Sequence, residues 1–213
     1  MNRIDARFAE LREAGRKAFI PFITAGDPDL DATAALVREL DRRGASLIEL
    51  GVPFSDPVAD GATIQASYTR ALDGGVTVDR ILDTVQTVRS DVSAPILTMI
   101  SISLVQRRGI EAYIDRAKAA GVDGAIIPDL PVDESDEAVR IAAAADFPLV
   151  MLSAPTTPAA RRRLIAERSR GFVYCVSLTG ITGARADLPP EVVDHVKALK
   201  ALTGTPVCVG FGV

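Results

Sequence analysis

The stretch Ser46-Leu47-Ile48-Glu49-Leu50-Gly51-Val52-Pro53-Phe54-Ser55-Asp56-Pro57-Val58-Ala59-Asp60-Gly61 decides how this chain of 213 residues is read. Its opening run, 46–50, is apolar almost throughout, with one carboxylate inside it. A turn rich in Gly, Pro and Asp follows, and beyond it a helical pattern begins at Ala62. Strand, loop and helix in that order make a βα unit. The unit recurs outward in both directions. Strand-like runs fall at 19–24, 46–50, 95–100, 124–127, 149–152, 172–177 and 207–211. Helical patterns separate them at 31–43, in a split stretch over 62–89, and at 110–120, 133–145, 158–168 and 189–202, with an extra one at 2–14 before the first strand. Gly15, Gly44, Gly121, Gly171 and Gly204 stand where helices should end. Strands apolar at nearly every position suit a parallel sheet covered on both faces. The alternation predicts an α/β fold forming one domain over 1–213, a (β/α)8 TIM barrel in preference to a doubly wound open sheet. Either fold puts its chemistry at the carboxyl ends of the strands.

Composition narrows the function classes. Hydrophobic residues make up 48% of the chain and charged ones 24%, which excludes disorder. With 24 basic against 28 acidic residues the net charge is −4, so the whole-molecule field does not attract nucleic acid, and an anionic ligand needs local donors. The arginine runs Arg107-Arg108 and Arg161-Arg162-Arg163 carry no interleaved aromatics and read as solvated faces. No apolar run approaches the roughly 18 residues of a membrane span. The start, Met1-Asn2-Arg3-Ile4-Asp5-Ala6-Arg7, has no apolar segment after its charges, so the expected location is cytoplasmic. Cys175 and Cys208 lie in apolar runs and read as free thiols, without metal-ligand spacing.

Glu49 is the residue most out of place. Pointing into a barrel it would be desolvated, with a raised pKa suited to acid–base work; at a sheet edge, or beside an arginine, it would be structural. Asp60, one loop away, could face the same ligand. Asp56 and Asp60 could equally cap turns or the following helix. The glycine turns Gly180-Ile181-Thr182-Gly183 and Gly210-Phe211-Gly212 follow the last two strand runs, where barrels often hold phosphate, though ordinary βα turns also use glycine. The four lysines, Lys17, Lys118, Lys197 and Lys200, fall before the first strand or in helical patterns, so none suits a Schiff base. The one histidine, His195, sits in mid-helix and reads as packing or surface, which removes the usual base of a serine or cysteine triad. Tyr174, on a strand, is the tyrosine best placed for proton transfer, or is core.

From Glu49 to Gly61 the sequence closely resembles the signature of the tryptophan synthase alpha chain family. The likeness continues through Phe22-Ile23-Thr24-Ala25-Gly26-Asp27-Pro28, Pro128-Asp129-Leu130-Pro131, Tyr174-Cys175-Val176-Ser177-Leu178-Thr179-Gly180-Ile181-Thr182-Gly183 and Gly210-Phe211-Gly212. The resemblance implies a (β/α)8 barrel that cleaves indole-3-glycerol phosphate to indole and glyceraldehyde 3-phosphate by a retro-aldol step. By the same likeness Glu49 is the general acid–base group, and Asp60 holds the indole N–H. Phe22, Met99, Ile126 and Phe211 line the indole pocket with Tyr174 nearby, Gly183 and Gly212 give backbone donors to phosphate, and Thr182 lies on a closing loop. The resemblance further implies no cofactor and no metal in this chain, and a beta chain partner that carries pyridoxal phosphate (PLP). The loops 53–60 and 129–131 would meet that partner in an alpha2beta2 assembly.

Three departures from the family pattern stand out. Ser101, Ser103 and Leu104 replace the usual Tyr and Asn-Pro, at the expected partner-facing mouth, and Ala62 replaces a usual proline. The sequence also ends on the seventh strand run, whereas a (β/α)8 barrel typically takes about 250 residues. The expectation is therefore a barrel lacking its eighth βα unit. Two rival functions remain open at this level: a non-catalytic barrel that binds the beta chain, and another sugar-phosphate lyase or isomerase.

Overall fold

The computed structural model describes residues 2–57, 60–177 and 189–211. Its strands are β1 (Phe22–Thr24), β2 (Ile48–Gly51), β3 (Ile96–Met99), β4 (Gly124–Ile126), β5 (Leu149–Ser153), β6 (Val173–Val176) and β7 (Val207–Gly210). The helices are α1 (Arg3–Glu13), α2 (Leu30–Arg42), α3 (Ala62–Asp73), α4 (Val78–Val88), α5 (Ile102–Arg108), α6 (Ile110–Ala120), α7 (Asp136–Ala144), α8 (Ala159–Arg168) and α9 (Pro190–Lys200). All strand pairs are parallel, in the order β1-β2-β3-β4-β5-β6-β7. Seven strands are therefore present among the described residues, each next to its sequence neighbour, as in an α/β barrel wall and unlike a doubly wound sheet. β2 and β3 are buried throughout, while the two terminal strands of the order, β1 and β7, are half-buried.

Strand alternation sorts the side chains into two layers. Ile48, Leu50, Ile96, Ala125, Leu149, Met151 and Val173 point outward into the packing with the helices. Leu47, Leu97, Met99, Ile126, Val150, Phe172 and Tyr174 point inward. Helix α1 adds Ile4, Phe8 and Leu11 to this inner layer, so it covers the amino-terminal end of the sheet. Gly124 makes the close approach possible: a methyl group there would stand 2.7 Å from the Pro148 carbonyl and 3.1 Å from Ile4. Closing that end leaves the carboxyl end for ligands.

The helices begin where short polar side chains accept orphan N–H groups: Asn2 from Asp5 N, Asp29 from Ala32 N and Thr77 from Arg80 N. Some limits differ from the sequence expectation. The first strand is shorter than 19–24 because Pro21 has no N–H to give, although the carbonyls of Phe19 and Pro21 still accept from Ser46 and Glu49. The pattern at 133–145 divides into a 3-10 turn (Val132–Glu134) and α7. Helix α5 was not expected; at seven residues it is too short to show a period. Gly204 does not end α9, whose C-cap is Ala201, whereas Gly121 ends α6 in the left-handed conformation.

Candidate active site

Glu49 lies between Leu47 and Gly51 in the inward set of β2, opposite Phe22 on one side and Leu97 on the other. It is 4% exposed. Among the described residues its carboxyl has neither an ion-pair partner nor a hydrogen bond, and burial alone pushes it up to about 8. The sheet-edge reading of Glu49 is set aside, since β2 runs between β1 and β3, and no arginine among the described residues pairs with it. A carboxylic acid that keeps its proton near neutral pH, within an apolar interior, can donate that proton and take it back.

Asp60 reaches the site from the loop after β2. The N-cap of α3 is Gly61, with no side-chain capping bond, so neither Asp56 nor Asp60 caps this helix. Gln65 Nε2 instead donates to the Asp60 carbonyl at 2.7 Å, which fixes the backbone and leaves the carboxyl to the cleft. That cleft opens at the carboxyl end and is lined by Asp60, Tyr68, Met99, Ser101 and Asp129 with Val52 and Phe54. Burial raises the Asp60 pKa, though the residue is only half-buried. Glu49 is not among the residues that line this cleft; the two carboxyl groups sit in unequal environments, Glu49 buried in the inner layer and Asp60 half-buried at the cleft.

The expected lining residues fall together. Phe22, Met99, Ile126, Tyr174 and Phe211 all belong to the inner apolar layer. The Tyr174 ring lies 6.2 Å from Phe172 and 5.4 Å from Phe211, centroid to centroid. Burial, then the charge of Glu49, pushes the Tyr174 phenol well above its ordinary range, so near neutral pH it is a neutral phenol. Phe211 adopts a φ of 61°, a strained conformation for a bulky residue, and its carbonyl accepts from Ser177 Oγ. Thr182, Gly183 and Gly212 lie outside the described residues.

Other expectations resolve around this centre. His195 is buried, with Nε2 2.9 Å from Ser153 Oγ on the outer side of β5. Cys175 and Cys208 are both free. Cys208 was not singled out as a site residue, yet it joins the inner layer, and burial and the charge of Glu49 push its thiol up to about 12. Ser101 caps α5, and its hydroxyl donates to Asp129 Oδ2 at 2.6 Å while Ile102 N donates to Oδ1 at 2.8 Å. The departure at Ser101 therefore ties the loop after β3 to the loop after β4. Ala62 takes the first position of α3, where a proline would also fit. Tyr68 is the site residue that the sequence reading missed. Its signal was helical spacing from the motif, since 61, 65 and 68 share a face of α3.

The sequence model described as tryptophan synthase alpha chain matches residues 8–213. The tryptophan synthase alpha chain of Synechocystis sp. is 47% identical over 213 residues, which cover 100% of this chain and 81% of that one. The counterpart from Caldanaerobacter subterraneus is 46% identical with the same coverage. Among solved structures, tryptophan synthase subunit alpha from Legionella pneumophila superposes with a TM-score of 0.91 at 36% identity, covering 100% of this chain and 79% of that one. A structure of the tryptophan synthase a2b2 complex from Pyrococcus furiosus gives 0.86 at 42% identity, covering 92% and 79%.

Proposed function

The chain belongs to the tryptophan synthase alpha chain family, and on that footing we propose that Glu49 is its proton carrier and Asp60 the carboxylate that holds the indole N–H. The chain is a lyase of tryptophan biosynthesis, cleaving indole-3-glycerol phosphate to indole and glyceraldehyde 3-phosphate. The observation that carries the assignment of Glu49 is its desolvation at an inward position of β2, with no cation paired to it among the described residues.

The chemistry uses both states of that carboxyl. Glu49 starts protonated and gives its proton to C3 of the indole ring, which turns the ring into a cationic leaving group. Asp60, as the carboxylate, accepts from N1–H and stabilises the positive charge that spreads onto nitrogen. Glu49, now ionised, takes the proton of the substrate hydroxyl as the carbon–carbon bond breaks. The bonding pair returns to the ring and a carbonyl forms on the departing chain. One proton enters and one leaves, so Glu49 ends as it began. Phe22, Met99, Ile126, Tyr174 and Phe211 hold the ring out of water, where an opposite charge acts most strongly. The substrate phosphate takes backbone donors from Gly183 and Gly212, and Thr182 belongs to the loop that closes over it; the sequence likeness supports these three assignments.

The partner is a tryptophan synthase beta chain, as in the Pyrococcus furiosus complex. The beta chain carries the PLP, and this chain supplies it with the indole released from indole-3-glycerol phosphate, using only its own side chains for the proton transfers. The assembly works in the cytoplasm; no helix among the described residues is long and apolar enough to cross a membrane. The test is indole release from indole-3-glycerol phosphate by the chain with its beta partner, with Asp60→Asn alongside. Release that falls by about a hundredfold or more in the variant supports the reading. Full activity in the variant rejects Asp60.

A further inference from the structure

We propose that Tyr68 is a specificity-determining residue: its ring closes the cleft beside the indole N–H and excludes substrates that carry a group on C7 of the indole. Tyr68 lines the same cleft as Asp60 and Met99. Its side chain is 4% exposed, so packing fixes the ring. The hydroxyl end lies over β2, where a methyl group on Gly51 would stand 3.0 Å from it and collide with the Phe22 ring. Gly51 is the next inward position of β2 after Glu49. The tip of Tyr68 and the ring of Phe22, one of the walls proposed for the indole, therefore meet over a single residue that has no side chain.

The shape of indole turns this wall into a filter. C7 is separated from N1 only by the ring-junction carbon, and a substituent on C7 projects alongside the N–H. With the N–H directed at Asp60, such a group meets the part of the cleft that Tyr68 forms. A substituent on C5 points away from it. Burial, then the charge of Asp60, pushes the Tyr68 phenol above its ordinary range, so near neutral pH the wall is uncharged and stands within reach of the Asp60 charge. A wall selects by size only where it does not yield, and helix α3 is clamped on both sides of this tyrosine. Ser67 and Thr24 of β1 share a hydrogen bond of 2.7 Å. Arg70 donates twice to Asp27, at 2.9 and 2.6 Å. Gln65, one turn earlier, holds the Asp60 carbonyl, so the same helix fixes the backbone of Asp60 and carries the ring beside it.

This inference rests on the reading of Asp60 and is tested so that the two can fail separately. In the chain assembled with its beta partner, kcat/KM is measured for indole-3-glycerol phosphate and for its 5-methyl and 7-methyl ring analogues. The parent should use the 7-methyl analogue about 10–200-fold less well than the 5-methyl one, the range that one methyl group commands in an apolar pocket. Tyr68→Leu opens the wall and should raise the ratio of 7-methyl to 5-methyl cleavage by about tenfold. Tyr68→Phe, which removes one atom from the tip, should raise it less, in the same direction. Each ratio is taken within one protein, so a loss of folded enzyme cancels, and a merely structural ring would leave the ratio where it was. If Tyr68→Leu does not fold, the ratio in Tyr68→Phe decides. An unchanged ratio, with Asp60→Asn impaired on the unsubstituted substrate, would overturn the role of Tyr68 and leave Asp60 in place. A parent that cleaves both analogues equally would also overturn it. An unimpaired Asp60→Asn would overturn the reading of Asp60, and with it the ring orientation used here.

Discussion

Phe22 of β1 and Glu49 of β2 stand opposite one another in the parallel register, so an aromatic ring and a proton-carrying carboxyl share the interior of the sheet. The pairing explains how a single acidic residue can be both buried and useful. The ring keeps water from the carboxyl, and water exclusion holds its proton on near neutral pH. The same ring is part of the wall expected to hold the indole.

Glu49 should therefore make stability depend on pH in a defined sense. Its carboxyl rises from 4.5 to about 8 on folding. Below the lower value both states are protonated and nothing is lost. Between the two, the unfolded chain gives up a proton that the folded chain retains, so stability falls until the folded carboxyl also ionises. Denaturant unfolding of the parent and Glu49→Gln across this range should show the parent losing ground as pH rises. Parallel curves would mean that the carboxyl is not desolvated.

Gly51→Ala tests the close packing above Glu49. The added methyl would collide with the Phe22 ring and press on the Tyr68 hydroxyl. Overpacking of this kind costs about 1–3 kcal/mol. Indole release should fall with the melting temperature, and a companion Phe22→Leu should recover part of the stability by making room.

Ser101→Ala should release the loop clamp at the mouth. The hydroxyl caps α5 and also reaches Asp129. Loss of an exposed cap of this kind costs about 1 kcal/mol, read as a lowered urea midpoint. Coupling to the beta chain should weaken more than the basal cleavage rate, because the two loops joined by Ser101 and Asp129 line the open cleft and are the ones proposed to face that partner. Equal loss in both readouts would place Ser101 in the chemistry.

His195 should make the fold acid-sensitive. Burial lowers its pKa from 6.5, with Arg162 adding to the effect and the Ser153 bond opposing it. A group depressed in the folded state contributes fully above its unfolded pKa, and that contribution is lost as pH falls below about 6.5. Unfolding midpoints of the parent should drop faster between pH 7 and pH 5 than those of His195→Gln.

Much of this was legible in the residues. The lone carboxylate in Leu47-Ile48-Glu49-Leu50 marked the position, but the sequence left an inward acid and a sheet-edge or arginine-paired residue both open, because alternation says which residues share a face and not which face is inward. Asp60 was legible through its motif, while its freedom from capping was not; that depended on Gly61 taking the N-cap and Gln65 holding the carbonyl. Helix α5 was hidden by its length, and the Ser101–Asp129 clamp by its span of two loops. Tyr68 was passed over because a tyrosine in an amphipathic helix has a packing role until its neighbours are known. Here those neighbours are Gly51, which leaves it space, and the cleft it lines together with Asp60.

The most direct test of the central claim is the rate of indole release by Glu49→Gln beside the parent, each assembled with the beta chain. Glutamine keeps the shape and burial of the side chain and removes its ability to move a proton. The account predicts loss of about a hundredfold or more in kcat with folding and partner binding retained. A Glu49→Gln chain that cleaves indole-3-glycerol phosphate at the parent rate would contradict it.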